Sequence, residues 1–486
     1  MNRPIRVLAV FCGVLFLALL LNATYVQFID ANDLNSTSGN RRVVDEEFAR
    51  ERGPILVGED RVARSMSSKD EYDFQRIYRQ SQLYSHLTGY YSYVYGRTDI
   101  EQTANPVLSG DDPRLFVNRV VDLLGNQQPV GGSVQLTIDP AAQRAAFDGL
   151  QSLPGSPRGA VVALDPSTGA VLSMVSTPSY NPNRLADHDF DAAAKAYKQL
   201  NSDDDQPLLD RSRANTWAPG STFKLVTAAA ALESGDYSPE TKVPGGPALD
   251  LPQTEQDLTN DVTSCGSGDI TLTVALAFSC NVSFGDIGLK LGNDALLEQA
   301  EAFGFNDDTY FDDLRTVPST YPKDADGPFT AFSAIGQGDV AATPLQMAMV
   351  AAGIANDGDV MKPYVVDEVL SPDVELIERT EPEQFSEAVS SGVAAQLTEM
   401  MVTVVEDGTA DDAAIPGVSV AGKTGTAERT EDLPPYAWFV SFAPADDPKV
   451  AVAVFVENPD VPRDQISGGG LAGPVAKSVM EAVIGS

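Results

Sequence analysis

A chain of 486 residues with 43% hydrophobic side chains can bury a substantial core and divides naturally into two or three folding units. Its 69 acidic against 33 basic residues leave a formal charge of −36, which repels polyanions and excludes nucleic acid as a partner. The chain has only two histidines, His86 and His188, and both read as ordinary surface or loop residues, so neither a Ser-His-Asp triad nor a histidine metal site is expected.

The first element is an apolar run over residues 7–21, extended less strongly to residue 29 and preceded by Arg3 and Arg6. Its length matches the ~20 residues that cross hydrocarbon, and the basic flank keeps residues 1–6 cytoplasmic. The expectation is a single-pass anchor over 7–29 with the remainder extracytoplasmic. A cleavable signal peptide is the alternative, with Asn22-Ala23-Thr24 as a poor small-residue site. Residues 30–155 mix short strand-like runs with polar stretches such as residues 35–40, and read as a small mixed pedestal or dimerisation-type domain.

Residues 156–486 carry the strongest patterns. An apolar run over 158–164, a Pro-Ser-Thr-Gly turn and a second run over 170–175 predict a hairpin. Helical patterns follow over 221–232, 272–291 and 344–355, with Gly235, Gly292 and Gly304 as stops. Strands return over 418–423, 437–442 and 450–456, and a last helix starts at Pro474. Strands at both ends with helices between them predict an α+β unit, an antiparallel sheet flanked by helices and joined to a helical lobe. Two cysteines, Cys265 and Cys280, fall in the exported part. An oxidising compartment favours a disulfide between them, with packed free thiols as the alternative.

Three short motifs carry chemistry. Lys224 is the only lysine with a serine three residues before it, and Ser221-Thr222-Phe223-Lys224 opens a helical run. Positions i and i+3 share a helix face, so the Lys224 amine reaches the Ser221 hydroxyl within one turn. Ser279-Cys280-Asn281 falls inside the helical region and is weak alone, since Ser-x-Asn recurs at Ser38 and Ser179. Lys423-Thr424-Gly425-Thr426 is the only Lys-Thr-Gly, on a strand whose Gly422 and Gly425 permit close approach of a ligand or a second backbone.

In this order the three motifs resemble those of the penicillin-binding proteins, and the flanking residues resemble class B, the monofunctional D,D-transpeptidases. Residues 218–224, Gly336-Gln337-Gly338, residues 343–348, Lys423 to Glu428 and Ala437-Trp438-Phe439 carry the likeness, which is dense over residues 158–484. Upstream, Arg52-Gly53-Pro54-Ile55 resembles the Arg-Gly-x-Ile element of class B N-terminal domains, and residues 86–92 with the compact N-terminal region look most like the A group of actinobacterial penicillin-binding proteins.

The resemblance implies a penicillin-binding-protein and serine β-lactamase-like fold and a peptidoglycan D,D-transpeptidase. Ser221 would attack the penultimate D-Ala of a stem peptide with Lys224 as base, and D-Ala would leave an acyl-enzyme behind. Ser279 would relay a proton, and Asn281 would hold Lys224 and a substrate amide. Lys423, Thr424 and Thr426 would receive the terminal carboxylate, Gly425 would belong to the same substrate-binding strand, and the backbone N–H groups of Ser221 and Thr426 would form the oxyanion hole. β-Lactams would trap Ser221; no metal or cofactor is implied. Expected partners are stem peptides, the membrane and cell-wall synthase or divisome proteins including a glycosyltransferase. The rivals are a D,D-carboxypeptidase or β-lactamase-type hydrolase, a β-lactam receptor and a divisome scaffold.

Overall fold

The computed structural model describes residues 3–28, 45, 47–70, 72–115, 130–155, 157–430 and 432–485; the polar stretch 35–40 and residue 29 lie outside them. The apolar run forms one helix, Arg3–Phe28, of 26 residues. At 1.5 Å per residue it is about 39 Å long, enough to cross a hydrocarbon layer of about 30 Å. Its side chains from Arg3 to Val26 are exposed and touch no part of the folded core.

Two sheets organise the rest. The first is six-stranded, in the order Leu376–Arg379, Val366–Leu370, Ser133–Leu136, Ile55–Val57, Asp60–Ser67, Phe74–Tyr78. Only Ile55–Val57 and Ser133–Leu136 run parallel. Two of its strands come from far downstream, inside the stretch expected to form the second unit. A buried ion cluster locks its near end, where Glu101 accepts from Arg52 and Arg76, each at 2.6 Å.

The second sheet is five-stranded and antiparallel, in the order Ala421–Ala427, Tyr436–Ala443, Val450–Glu457, Arg158–Leu164, Val171–Thr177. The predicted hairpin supplies its last two strands, and the late strands close it. Val450–Glu457 is buried at all eight positions, which explains a near-continuous apolar run in place of alternation. Helices Pro140–Ser152, Pro344–Ala355, Ser391–Glu406 and Gly473–Ile484 pack on it. Pro344–Ala355 matches its expected span and is buried from Pro344 to Ile354, apolar on every side because it has no solvent face.

Two expectations change. The helical run 272–291 is two helices, Leu272–Ala277 and Asn281–Leu291, parted at residues 278–280 where Ser279 takes φ +59°. Apolar spacing continues across the break because both helices bury side chains in the same lobe. His86 is no surface residue: it lies buried on Ser81–Thr88, and loss of solvent lowers its pKa. His188 Nδ1 pairs with Asp70 Oδ2 at 2.6 Å beside the ring of Tyr72.

Candidate active site

Ser221 sits in a 3-10 turn, Gly220–Phe223, that leads directly into the helix Lys224–Glu233. Gly220 has φ +53°, and a Cβ there would lie 2.8 Å from Thr426 O. Only glycine lets the turn come this close to the strand carrying Thr426. Below the turn, Phe223 stacks on Tyr321 and meets Phe305 edge-on, fixing the Ser221 end of the helix from the core side.

Lys224 is the hub. Its Nζ lies 3.0 Å from Ser221 Oγ, 3.2 Å from Ser279 Oγ, 2.7 Å from Ser279 O and 2.7 Å from Asn281 Oδ1. The side chain is wholly buried, and its pKa is held well below the ordinary lysine range by loss of solvent first and by the Lys423 charge second; Asp261 opposes them. A buried ammonium with a like charge nearby gives up its proton more readily, the condition for a lysine base. Ser221 and Lys224 are thus brought together by one turn, and Ser279 and Asn281 by the helix break. That break turns the Ser279 carbonyl and hydroxyl both toward Lys224.

Lys423 lies on Ala421–Ala427, the edge strand of the second sheet. It is fully buried, donates to Thr424 O at 2.9 Å, and its pKa is drawn down to about 7 by burial. Alternation along the strand places Lys423 and Gly425 on one face, with Thr424 and Thr426 on the other. The Gly425 face meets the turn that carries Ser221: a Cβ there would come within 2.9 Å of Pro219 O and of Thr222 Cγ2. Thr424 Oγ1 bonds Thr409 Oγ1 at 2.7 Å, and Thr426 is partly exposed. Trp438, buried behind the strand, donates from Nε1 to Ala218 O at 3.0 Å and so ties the sheet to the segment before Ser221.

A second group of residues carries no motif. Asn281 Nδ2 donates to Thr259 O at 3.0 Å and to Asp261 Oδ2 at 3.2 Å, and Val282 N donates to Asn260 Oδ1 at 3.0 Å. A disulfide joins Cys265 to Cys280 and fastens this loop to the Ser279-Cys280-Asn281 corner. Among the sequence signals only the cysteine pair pointed toward that loop. Gly468 is likewise unannounced by a motif, yet a Cβ there would lie 2.7 Å from Gly425 O. No group of three or more His, Cys, Asp or Glu suited to a metal occurs among the described residues.

Residues 159–481 match the family model of the penicillin binding protein transpeptidase domain, and residues 52–134 that of the penicillin binding protein A dimerisation domain. The chain is 44% identical to the peptidoglycan D,D-transpeptidase PbpA of Mycolicibacterium smegmatis, covering 100% of this chain and 99% of that one. It is 41% identical, over the same shares, to the peptidoglycan D,D-transpeptidase PbpA of Mycobacterium tuberculosis. Among solved structures it is similar to penicillin-binding protein A from M. tuberculosis in a ceftriaxone acyl-enzyme complex, with TM-score 0.86 and 40% identity over 90% of this chain and 100% of that one. The same protein as a penicillin G acyl-enzyme complex gives TM-score 0.84. With a transpeptidase model spanning most of its length and relatives matched from end to end, the chain belongs to the penicillin-binding protein transpeptidase family.

Proposed function

We propose that the chain is a serine-type peptidoglycan D,D-transpeptidase, held at the cell membrane by Arg3–Phe28 with its catalytic part outside. The observation that carries this reading is the Lys224 hub, one buried amine within 3.2 Å of both serine hydroxyls and of Asn281 Oδ1.

Neutral Lys224 takes the Ser221 proton as Oγ bonds to the penultimate D-Ala carbonyl carbon. The oxyanion rests on the N–H groups of Ser221 and Thr426; removing one such donor typically costs about 3 kcal/mol of transition-state stabilisation. As the C–N bond breaks, the proton passes through Ser279 to the departing D-Ala amine. The Thr424 and Thr426 hydroxyls receive the terminal carboxylate with the Lys423 charge behind them, and Gly425 lets this strand lie directly against the turn that carries Ser221. An amine of a second stem peptide then attacks the ester, its surplus proton returns to the site, and Ser221 is restored. β-Lactams offer an amide bond in the same place and acylate the same oxygen. Because cross-linking consumes glycan strands that this site cannot polymerise, a glycosyltransferase of the cell-wall machinery is the expected partner.

Fluorescent penicillin is expected to label wild type covalently, and Ser221→Ala to abolish labelling while leaving the thermal melt unchanged. Labelling that survives in Ser221→Ala rejects the nucleophile. Rapid recovery of free enzyme after labelling assigns a hydrolase instead of a transferase.

A further inference from the structure

The carboxylate of Asp261 lies outside every motif and yet is one hydrogen bond from the base assembly. Asn281 is 7% exposed, and its side-chain amide has two donors and one acceptor oxygen. Both donors point at groups that only accept, Thr259 O and Asp261 Oδ2. The amide therefore cannot turn over without placing its oxygen against two other oxygens, and Oδ1 is left facing Lys224 Nζ at 2.7 Å. Asp261 itself is exposed, so its charge reaches Lys224 from the solvent side while Lys423 reaches it from the sheet side.

We propose that Asp261 is a positioning residue of the acylation step, holding Asn281 in the orientation that accepts from Lys224 and setting the charge balance at that lysine against Lys423. The proposal rests on the transpeptidase reading only in taking Lys224 as the base. The other groups packed around Lys224 are Ser221 from its own turn, Ser279 and Asn281 from the helix break, and the Phe284 ring, whose centroid is 5.7 Å from Nζ. None of these carries a charge. Asp261 and Lys423 are the charged residues that act on Lys224, with opposite sign. The segment bearing Asp261 is held at one end by the Cys265–Cys280 bridge and at the other by Thr259, in a two-stranded pairing of Asp257–Thr259 with Ala248–Asp250. Its carboxylate is thus supplied from a fixed frame.

The two contributions separate in two variants. Asp261→Asn keeps an acceptor oxygen for Asn281 and removes the charge; Asp261→Ala removes both. A base must be neutral to act, so acylation rises with pH through the Lys224 pKa, and a nearby anion moves that limb upward. In full-length protein in detergent, with fluorescent penicillin as probe, Asp261→Asn is expected to shift the limb down by about half a pH unit, roughly threefold in rate on the limb, with its plateau kept. The offset from wild type shrinks in high salt, since an exposed charge is screened. Asp261→Ala is expected to show the same shift and to lose about tenfold at the plateau, the usual size for one charge-assisted hydrogen bond. A limb that coincides with wild type in both variants overturns the proposal, as does an equal plateau loss in both with the limb unmoved, the mark of simple loop support. Should Asp261→Ala fail to fold, the limb of Asp261→Asn decides alone. A wild type that takes up no penicillin rejects the transpeptidase reading instead, so the two failures are distinct.

Discussion

At neutral pH the fully buried Lys423 amine, with its pKa drawn down to about 7, sits on the boundary between charged and neutral. An unfolded lysine titrates near 10.4, so between that pH and about 7 the unfolded chain holds a proton the folded chain lacks. Stability attributable to this group therefore falls as pH drops through that window, and the penalty is complete below the folded value. Replacing the lysine by Lys423→Met should raise stability at and below neutral pH, by at most about 5 kcal/mol, and the gain should vanish above the unfolded value. The same variant should lose acylation severely, because Lys224 loses the like charge that depresses it and, in the proposed mechanism, the substrate carboxylate loses its cation. Thermal melts and penicillin uptake measured on both sides of the window check this; a melting point that falls at neutral pH with Lys423→Met counts against it. At this scale the sequence disclosed what chain-local spacing encodes. Ser221 and Lys224 announce each other because one helical turn separates them. Thr259 and Asp261 are joined to Asn281 only by folding, and a polar stretch rich in aspartate offers no pattern by which to find them.

Elements with one kind of neighbour were read well, and those with a change of direction inside them were not. Pro344–Ala355 is announced by its Thr343 cap, whose hydroxyl accepts from Gln346 N at 3.0 Å, and by the proline at its first position. Residues 272–291 lack any such punctuation at 278–280, since no Gly or Pro marks the corner. The corner is made instead by Ser279 at φ +59°, a conformation that costs a residue with a Cβ about 1–2 kcal/mol. A glycine there would be the easier choice for the backbone but would lack the hydroxyl that faces Lys224. Ser279→Gly and Ser279→Ala should both slow acylation by losing that oxygen, while the glycine variant should be more stable than the alanine variant by about 1 kcal/mol. Chemical denaturation of the pair checks it. If the alanine variant proves equally stable, the corner is unstrained and its serine is retained for chemistry alone.

The two sheets exchange elements along the chain. Val366–Leu370 pairs with Ser133–Leu136 and so places downstream residues in the first sheet, while Pro140–Ser152 packs on the second beside Gly473–Ile484. Neither exchange was legible, because strand partners hundreds of residues apart leave no local trace. One apolar cluster runs through both sheets, and buried polar contacts join the elements between them. Buried Gln143 donates from Nε2 to Leu83 O and to Met174 O, both at 3.0 Å. Its Oε1 accepts from Ser173 Oγ at 3.0 Å and from Met174 N at 2.9 Å. Asn183 bonds both backbone groups of Tyr78, and Arg213 pairs with Asp99. Such an interface has little tolerance for one missing partner, since each buried group left unpaired costs about 1–3 kcal/mol. Gln143→Leu, which keeps the volume roughly and removes every bond, should therefore destabilise the whole exported part by about 3 kcal/mol or more. Because the sheets exchange elements, the loss should appear as a downward shift of one cooperative transition in calorimetry of the full chain. Two resolved transitions of which only one moves would mean that the sheets melt independently. In that case the N-terminal region would be a detachable pedestal. A single shifted transition makes it part of the scaffold that holds Lys423 and Ser221 in register.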